Sequence, residues 1–291
     1  MYTHIITFLI GVVNVIFYLS KNVAFSVGFL DKRGRIWYTD SMNIREAFME
    51  YASVIETVFR ENKLNLTPAQ GEMFSHLTEE MLRVNASMNL TAITDPLQIA
   101  VKHYADCAFM ANLPPQGATV ADIGAGAGFP TLPLGILRPD LKITAVDSTD
   151  KRMRYVEATA DLLGLEHVSV LTARAEELGK KASMRESFDF VTARAVAALN
   201  VLCELCLPLV RVGGTFCALK AQGGREELAA AEQAADLLGG KVTEISEFSL
   251  VDPSNTTAED ALRRVLIVIE KISPTPEKYP RRYARIQSDP L

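Results

Sequence analysis

The chain has 291 residues, of which 48% are hydrophobic and 22% are charged, with 30 Lys and Arg against 35 Asp and Glu. This length and composition predict one large domain with a sizeable core and exclude a disordered or low-complexity protein. The net charge of −5 argues against a protein that coats nucleic acid by bulk charge, although it is compatible with a local basic patch. Four cysteines in apolar surroundings exclude a disulfide scaffold. Cys203 and Cys206 form a CxxC pair, but no second pair completes a zinc site, so we expect no metal.

An apolar segment comes first in the chain. Residues 5–30 are mostly apolar, yet the unbroken run is shorter than the roughly 20 residues that a membrane helix needs, and no basic stretch precedes it as in a signal peptide. Three interpretations of residues 1–41 stay open. The segment is a mis-assigned start or non-native extension with Met42 as the true start, a membrane or interfacial anchor, or a folded part of the domain. In each case we expect the body of the protein to be cytoplasmic.

Three helical patterns follow this segment. Apolar residues recur at helical spacing from Ile44 to Phe59. Thr67-Pro68 and Asp95-Pro96 each combine an N-cap residue with proline at the first helical position, so they predict two further helices. Together these patterns predict an N-terminal helical cap, residues 42–113, that ends at the turn-forming residues 113–117.

Short apolar runs then alternate with helical patterns. The predicted strands are 119–123, 142–146, 168–171, 188–191 and 215–219, and the predicted helices are 131–137, 150–163, 197–210 and 226–238. This alternation predicts an α/β domain, residues 114–273, with a mostly parallel sheet and helices on both faces. The runs 242–248 and 264–270 have no helix between them, so they predict a terminal antiparallel hairpin. A basic C-terminal tail, residues 274–291, completes the chain.

A glycine-rich loop follows the first predicted strand, where residues 120–130 read VADIGAGAGFP. Gly124, Gly126 and Gly128 allow the backbone to turn tightly and to approach a ligand at a helix N-terminus. A dinucleotide fingerprint reads GxGxxG, whereas here the third glycine comes one residue early and Phe129 fills its place. Asp147 ends the second strand, where a carboxylate can hold both ribose hydroxyls of a nucleoside.

The third strand is followed by a pair of residues at the position of an adenine contact, Ala175 and Glu176. With Asp122 before the loop and the terminal hairpin, this pair favours S-adenosylmethionine over NAD as the cofactor. A nicotinamide enzyme and a bare tight turn with a core-capping aspartate are the alternatives.

An ordered set of motifs between residues 42 and 285 resembles a known family. The motifs are MNLTAI (88–93), HYAD (103–106), DIGAGAGFP (122–130), VDS (146–148) with KR (151–152), RAE (174–176), VTARAV (191–196), ALKA (218–221) and KYPR (278–281). In this order they resemble the RsmG or GidB family, the ribosomal RNA small-subunit methyltransferase G proteins. Two positions depart from the family pattern, since Cys107 replaces a serine and Thr131 replaces a glycine, and both replacements are small.

The resemblance implies a Rossmann-like methyltransferase fold with an N-terminal helical cap. It also implies transfer of a methyl group from S-adenosylmethionine to N7 of one guanine in 16S ribosomal RNA. Its cofactor contacts carry over onto Gly124, Phe129, Ala175, Glu176 and Arg194. The N-terminal segment 1–41 is absent from typical members.

The chemistry of guanine N7 favours catalysis by positioning. This nitrogen carries a lone pair and no proton, so its methylation needs in-line approach rather than a general base. We therefore name no catalytic base, and the positioning candidates are Arg194, Lys220 and His103. The alternatives are a salt bridge for Arg194, a solvated strand end for Lys220 and a structural role for His103.

Two basic clusters are candidates for RNA contact. Cations position phosphates, and aromatic rings such as those interleaved in the tail stack on unpaired bases. The candidate residues are Lys151, Arg152 and Arg154 near the cofactor loop and Lys278, Arg281, Arg282 and Arg285 in the tail. A solvated charged face is the alternative for both clusters.

The expected partner is 16S ribosomal RNA or a small-subunit assembly particle. We expect a monomer with no stable protein partner and no membrane association. Two other functions stay open from the residues alone. One is a methyltransferase of the same fold that acts on a small molecule or a protein, and the other is a non-catalytic cofactor-binding regulator.

Overall fold

The structure is a computed structural model that describes residues 5–10, 13–19, 25–30, 36–194, 197–221, 226–255 and 262–291. Outside this part lie Ala195 and Val196, which end the VTARAV motif, and several short stretches of the predicted 1–41 extension. The chain divides into two compact units, residues 1–54 and residues 55–291.

The first unit contains a four-stranded antiparallel meander. Its strands pair in chain order and are β1 (Ile5–Ile10), β2 (Val13–Leu19), β3 (Phe25–Leu30) and β4 (Ile36–Asp40). Their content of β-branched and aromatic residues is typical of strands. The described stretches of the apolar segment are therefore strands. Across the whole described part of the chain, no helix is both long and apolar enough to cross a bilayer.

The predicted helical cap is present. Its helices are α1 (Ser41–Glu61), α2 (Pro68–Met88), α3 (Pro96–Ile99), a π-helical turn (Ala100–Ala105) and α4 (Asp106–Ala108). The Thr67 hydroxyl accepts a hydrogen bond from the Gln70 backbone N–H at 3.3 Å, and the Gln70 side chain accepts one from the Thr67 N–H at 2.9 Å. This reciprocal capping box starts α2. The Asp95 carboxylate accepts the Gln98 N–H at 2.9 Å and starts α3 in the same way.

The α/β part alternates strands and helices as predicted. Its elements are β5 (Thr119–Ile123), α5 (Thr131–Leu137), β6 (Lys142–Asp147), α6 (Asp150–Leu162), β7 (Val168–Thr172), α7 (Ala175–Leu178), β8 (Phe188–Arg194), α8 (Leu199–Cys206), a 3₁₀ turn (Leu207–Leu209), β9 (Val210–Ala221), α9 (Leu228–Leu237), β10 (Gly240–Leu250), β11 (Leu262–Lys271) and α10 (Tyr283–Ser288). The short helices α7 and α10 were not predicted, because four and six residues are too few to show a helical period.

The seven strands form one mostly parallel sheet in the order β10-β11-β9-β8-β5-β6-β7. Strands β9, β8, β5, β6 and β7 run parallel, while β11 is antiparallel to both of its neighbours, β9 and β10. This confirms the predicted parallel sheet and terminal hairpin. The chain moves outward from β5 through β6 to β7 and then returns to β8 on the other side of β5. The carboxyl end of β5 is therefore the switch point, where ligands of such sheets bind.

The core lies on both faces of the sheet. One face packs buried residues of β5 and β8 against α8 and α9, and the other packs Val120 and Phe190 near Leu134 of α5. Tyr279 and Ile286 of the C-terminal tail belong to the first of these clusters, with 7% and 0% of their surfaces exposed. The tail is thus partly built into the core.

A row of aromatic rings connects the cap to the glycine loop. Ring centroids are 5.5 Å apart between Phe59 and Phe74, 4.7 Å between Phe74 and Tyr104, and 6.2 Å between Tyr104 and Phe129. Such tilted pairs are favourable arrangements of aromatic rings. The packing of the cap therefore fixes the position of Phe129 at the end of the glycine loop.

Candidate active site

The glycine loop has a left-handed backbone at each of its three glycines. The φ angles are +74° at Gly124, +56° at Gly126 and +86° at Gly128. A Cβ at Gly128 would lie 2.6 Å from Leu132 Cδ1, so close packing against α5 requires glycine there. A Cβ at Gly126 would have only the Gly124 carbonyl oxygen within 4 Å, at 3.7 Å. The space beside Gly126 is therefore open to a ligand, and its backbone angle is what favours glycine.

Asp147, at the end of β6, holds the loop in place. Its Oδ2 accepts the Gly126 N–H at 3.1 Å, and its Oδ1 accepts the Thr149 N–H at 2.8 Å. Because each carboxylate oxygen has a second lone pair, both can still accept a hydrogen bond from a ribose hydroxyl.

A cavity of about 170 Å³ opens beside the loop. Its lining residues are Ile123, Gly124, Val146, Asp147, Ser148, Ala173, Arg174, Ala175, Glu176, Leu205 and Tyr283. The structure thus brings four of the predicted cofactor residues, from β5, β6 and α7, to one cavity. Leu205 and Tyr283 were not predicted to belong to the site, because they come from α8 and α10 and no motif marks them.

Of the other four predicted cofactor residues, Phe129 and Arg194 belong to a largely buried cluster at the end of the loop, while Gly126 and Gly128 lie in the loop itself. The His103 ring stacks on Phe129 with centroids 4.5 Å apart, and the Arg194 guanidinium lies 5.4 Å from the Phe129 centroid. Asp106 pairs with Arg194 at 3.0 Å and with Arg264 at 2.7 Å. The salt bridge that was the alternative for Arg194 is therefore present, and it holds the guanidinium against the Phe129 ring.

His103 is neutral in this cluster. Burial, reinforced by the positive charge of Arg194, lowers the pKa of His103 to about 3. Arg194 Nη2 lies 3.2 Å from His103 Nδ1 and can only donate, so Nδ1 is the acceptor. The proton is then on Nε2, which lies 3.2 Å from the Thr91 hydroxyl oxygen. A neutral imidazole with both nitrogens engaged is suited to orienting its neighbours.

Asp122 carries an unsatisfied carboxylate oxygen directly below the glycine loop. The side chain is fully buried, and its Oδ2 accepts the N–H of Thr131 at 3.1 Å and the Thr131 hydroxyl at 2.6 Å. Its Oδ1 is buried and has no hydrogen-bond partner among the described residues. Burial raises the pKa of Asp122 to about 6. From the sequence, Asp122 was recognised as the acid that precedes the loop, but it was not predicted to contact the cofactor.

Lys220, at the end of β9, is engaged with the protein. Its ammonium group donates to the Ala197 carbonyl oxygen at 2.8 Å and pairs with Glu227 at 3.0 Å. Only 12% of its side chain is exposed, so Lys220 is not a solvated strand end. In this structure it ties the segment before α8 to the segment before α9.

The basic residues of α6 are at the surface beside the cavity. Lys151 and Arg152 are exposed, and Arg154 forms an exposed pair with Asp150 at 2.8 Å. Exposed pairs of this kind contribute little to stability, so a phosphate can replace the carboxylate at small cost. The helix starts two residues after Ser148, which lines the cavity.

The basic residues of the tail have two different environments. Arg281 Nε and Nη2 pair with the carboxylate of Glu204, at 2.8 Å and 2.5 Å, and the Glu204 side chain is fully buried. Arg281 is therefore a structural residue in this structure. The other three are exposed at the surface, namely Lys278, Arg282 and Arg285.

The described residues offer no metal centre, since they contain no group of three His, Cys, Asp or Glu side chains that could hold an ion. Cys107, Cys203, Cys206 and Cys217 are free and buried. Burial raises the pKa of the Cys203 thiol to about 12, so it stays protonated.

Known proteins match this chain over most of its length. A family model described as GidB, rRNA small subunit methyltransferase G, matches residues 70–255. The ribosomal RNA small subunit methyltransferase G of Lactobacillus delbrueckii subsp. bulgaricus is 42% identical over 240 residues, which are 81% of this chain and 97% of that protein. The proteins of the same name from Oceanobacillus iheyensis and Staphylococcus aureus are each 44% identical and cover 80% of this chain and 95% of their own length. The match of the family model includes the glycine loop, Asp147 and the Ala175–Glu176 pair.

Proposed function

The chain belongs to the ribosomal RNA small subunit methyltransferase G family, and from this membership we propose that it transfers a methyl group from S-adenosylmethionine to N7 of one guanine in 16S ribosomal RNA. The observation that carries the proposal is the match to relatives of this name over nearly their whole length, at more than 40% identity. The site agrees with it, because the matched residues form a cavity and a loop of suitable chemistry.

The residues at the site fit S-adenosylmethionine. The unpartnered Oδ1 of Asp122 suits a cationic donor at the glycine loop, and Asp147 retains lone pairs for a ribose diol. Gly124, Ala175 and Glu176 line the same cavity as Asp147. When bound, S-adenosylmethionine supplies the electrophilic methyl group. Phe129 and Arg194 hold the shape of the loop end beside the cavity.

The arrangement supports catalysis by orientation. Guanine N7 needs no deprotonation, and His103, with its pKa near 3 and both nitrogens engaged, is not a base for such a step. Arg194 and Lys220 are held by acidic partners and carbonyl oxygens. These residues therefore fix the walls of the site, so that the reacting atoms are aligned when the RNA binds.

We propose that the two basic clusters form one RNA surface around the cavity. They are more than 100 residues apart in the sequence, yet α6 begins next to Ser148 and α10 begins at Tyr283, and both of these residues line the cavity. The phosphate-binding residues in this proposal are Lys151, Arg152, Arg154, Lys278, Arg282 and Arg285. Arg281 contributes by holding the tail, since its guanidinium is occupied by Glu204.

The test is methyl incorporation from labelled S-adenosylmethionine into naked 16S ribosomal RNA and into small ribosomal subunits, both lacking this modification. We expect label in 7-methylguanosine after nuclease digestion, and less of it with Asp147→Ala at a cofactor concentration that only just saturates the wild type. Label only in a protein or a small molecule would support the alternative methyltransferase. Cofactor binding without incorporation into any of these would support the non-catalytic regulator.

The proposed substrate implies a cytoplasmic enzyme, because bacterial small subunits assemble in the cytoplasm. We also propose that one chain is sufficient for activity, since the cavity and both basic clusters lie within residues 55–291. Light scattering of active protein should give the mass of one chain, 31.9 kDa.

A further inference from the structure

The C-terminal segment, residues 279–291, reaches the cofactor cavity. Tyr283, the first residue of α10, lines this cavity together with Leu205 of α8. Its ring is half-buried, and the Arg174 guanidinium lies 5.7 Å from the ring centroid. Arg174 directly precedes Ala175 and Glu176, so the Tyr283 ring lies at the end of the cavity that these two residues line. A basic tail far from the glycine loop in sequence thus supplies an aromatic wall.

The segment is anchored on both sides of Tyr283. On the N-terminal side, Arg281 pairs with the buried Glu204, and the Arg281 N–H also donates to the Glu204 carboxylate, at 2.8 Å. On the C-terminal side, Ile286 is fully buried and the Asn200 amide donates to the Leu291 carbonyl oxygen at 2.9 Å. Leaving a buried carboxylate without its partner is costly, so the Arg281–Glu204 pair holds the segment firmly against α8.

A second anchor lies at the start of this segment. Arg185 donates to the carbonyl oxygens of Thr275 at 2.6 Å and Tyr279 at 2.9 Å. The Tyr279 ring is itself buried in the core beneath the tail. The position of Tyr283 is therefore set before a ligand arrives, which lowers the entropy lost on binding.

We propose that Tyr283 is a cofactor-binding residue whose ring provides a stacking face for the adenine base, and that the anchored segment 279–291 positions it. The Tyr283 ring and the apolar Leu205 side chain both line the cavity and suit a flat heterocycle, and base–aromatic stacking is a strong contact. The glycine loop, Asp122 and the His103–Phe129 cluster lie at the switch point of the sheet and serve the remainder of the cofactor. The inference rests on the proposed function only for the identity of the ligand.

The experiment is calorimetric titration of the full chain with S-adenosylhomocysteine, and with adenosine by competition. Tyr283→Ala should weaken both ligands by about 10- to 100-fold, since the base is common to them. Tyr283→Phe keeps the ring and should bind within about threefold of wild type. Gln287→Ala removes the side chain that donates to the Tyr283 hydroxyl at 3.1 Å and should leave both affinities unchanged. If Tyr283→Ala does not fold, Tyr283→Leu replaces it with the same expectations.

The outcomes separate this inference from the proposed function. Wild-type affinity in Tyr283→Ala would overturn it, and so would a loss confined to S-adenosylhomocysteine, because the contact would then lie at the amino-acid end. A loss in Tyr283→Phe equal to that in Tyr283→Ala would also overturn it, since the hydroxyl and not the ring face would carry the contact. Wild-type protein that binds neither ligand would instead contradict the cofactor assignment.

Discussion

Asp122 and Gly126 show how single residues combine structural and functional demands. Asp122 is fully buried, yet only one of its carboxylate oxygens has partners, both from Thr131. Gly126 has an angle that other residues rarely adopt and an open space where its side chain would be. Both residues belong to the glycine loop or directly precede it, where we propose that the cofactor binds.

Asp122 should make stability depend on pH. Its pKa is about 6 in the fold and near 3.9 when unfolded, so its contribution is fully present below pH 4 and is lost as the pH rises through 6. The free energy of unfolding should fall by about 3 kcal/mol in total, because the carboxyl group loses its proton more readily in the unfolded chain. We expect urea unfolding of wild type and Asp122→Asn, without cofactor, to show a stability difference that changes between pH 4 and 6 and is constant above. A constant difference throughout would show that the carboxylate is ionised in the fold.

Gly126→Val and Asp147→Ala should each weaken S-adenosylmethionine binding by roughly 1–3 kcal/mol. The valine would occupy the open space beside the loop, and the alanine would remove the carboxylate that faces the cavity and fixes the Gly126 N–H. Titration calorimetry measures both effects.

Gly164→Val is the matched control for Gly126→Val. Gly164 also has a positive φ, +66°, and nothing lies within 4 Å of a Cβ there. Both valine variants should therefore lose about 1–2 kcal/mol of stability through backbone strain. Only Gly126→Val should lose cofactor affinity, and equal affinities in the two would remove the loop from the binding site.

At the scale of elements, the basic residues of the C-terminal segment have two environments that composition alone does not distinguish. Arg281 faces inward to Glu204, while Lys278, Arg282 and Arg285 face solvent. Because Tyr283 lines the cavity and Arg281 holds the segment that carries it, replacing all four basic residues together would disturb the cavity as well as the proposed RNA surface. The RNA contribution must therefore be tested without Arg281.

Replacing Lys278, Arg282 and Arg285 together with alanine should weaken RNA binding and flatten its salt dependence by roughly two to three units, about one for each lost phosphate contact. The methylated guanine should not change, since phosphate contacts position RNA and base contacts select the target. The measurement is RNA affinity across a salt series, with cofactor titration to confirm an intact cavity. An unaltered slope would leave Lys151, Arg152 and Arg154 as the remaining candidates for the RNA surface.

At the scale of the whole molecule, residues 55–291 contain every part of the proposed active site. Residues 55–113 of the cap share buried contacts with the sheet and the tail within this unit, from Phe59 in α1 to Ile286 in α10. The relatives also align over 97% and 95% of their own length while covering about 80% of this chain.

Deleting residues 1–41 should therefore leave a cooperatively folding enzyme with unchanged cofactor affinity. The truncated chain would keep α1 from its second residue, Met42, and all of the cavity. Thermal unfolding and cofactor titration of the two proteins provide the comparison. If the shorter protein is insoluble or inactive while the full chain is active, the N-terminal segment is part of the functional fold.

Much of this fold could be predicted from local patterns. Strand β5 and helix α5 have the bounds that the sequence predicts, because an apolar run, a glycine loop and a helix start follow one another within twenty residues. The capping box at Thr67 is likewise a local signal. The four N-terminal strands were not predicted, because a continuous apolar run without alternation does not distinguish a strand from a helix.

The sequence by itself was sufficient to predict that the glycine loop, Asp147 and the Ala175–Glu176 pair lie close together. Each stands at the end of a strand, and parallel strands end at one edge of a sheet. Only the tertiary structure decided which partners the charged residues take and what closes the cavity. Arg281 meets Glu204 across 77 residues, and Arg264 meets Asp106 across 158. Contacts between residues so far apart in the sequence depend on how whole helices and strands pack against one another. Such packing produces no periodic pattern or fixed spacing that could be recognised in the sequence. Tyr283 became part of the site for the same physical reason, since only the anchored tail brings its ring to the cavity.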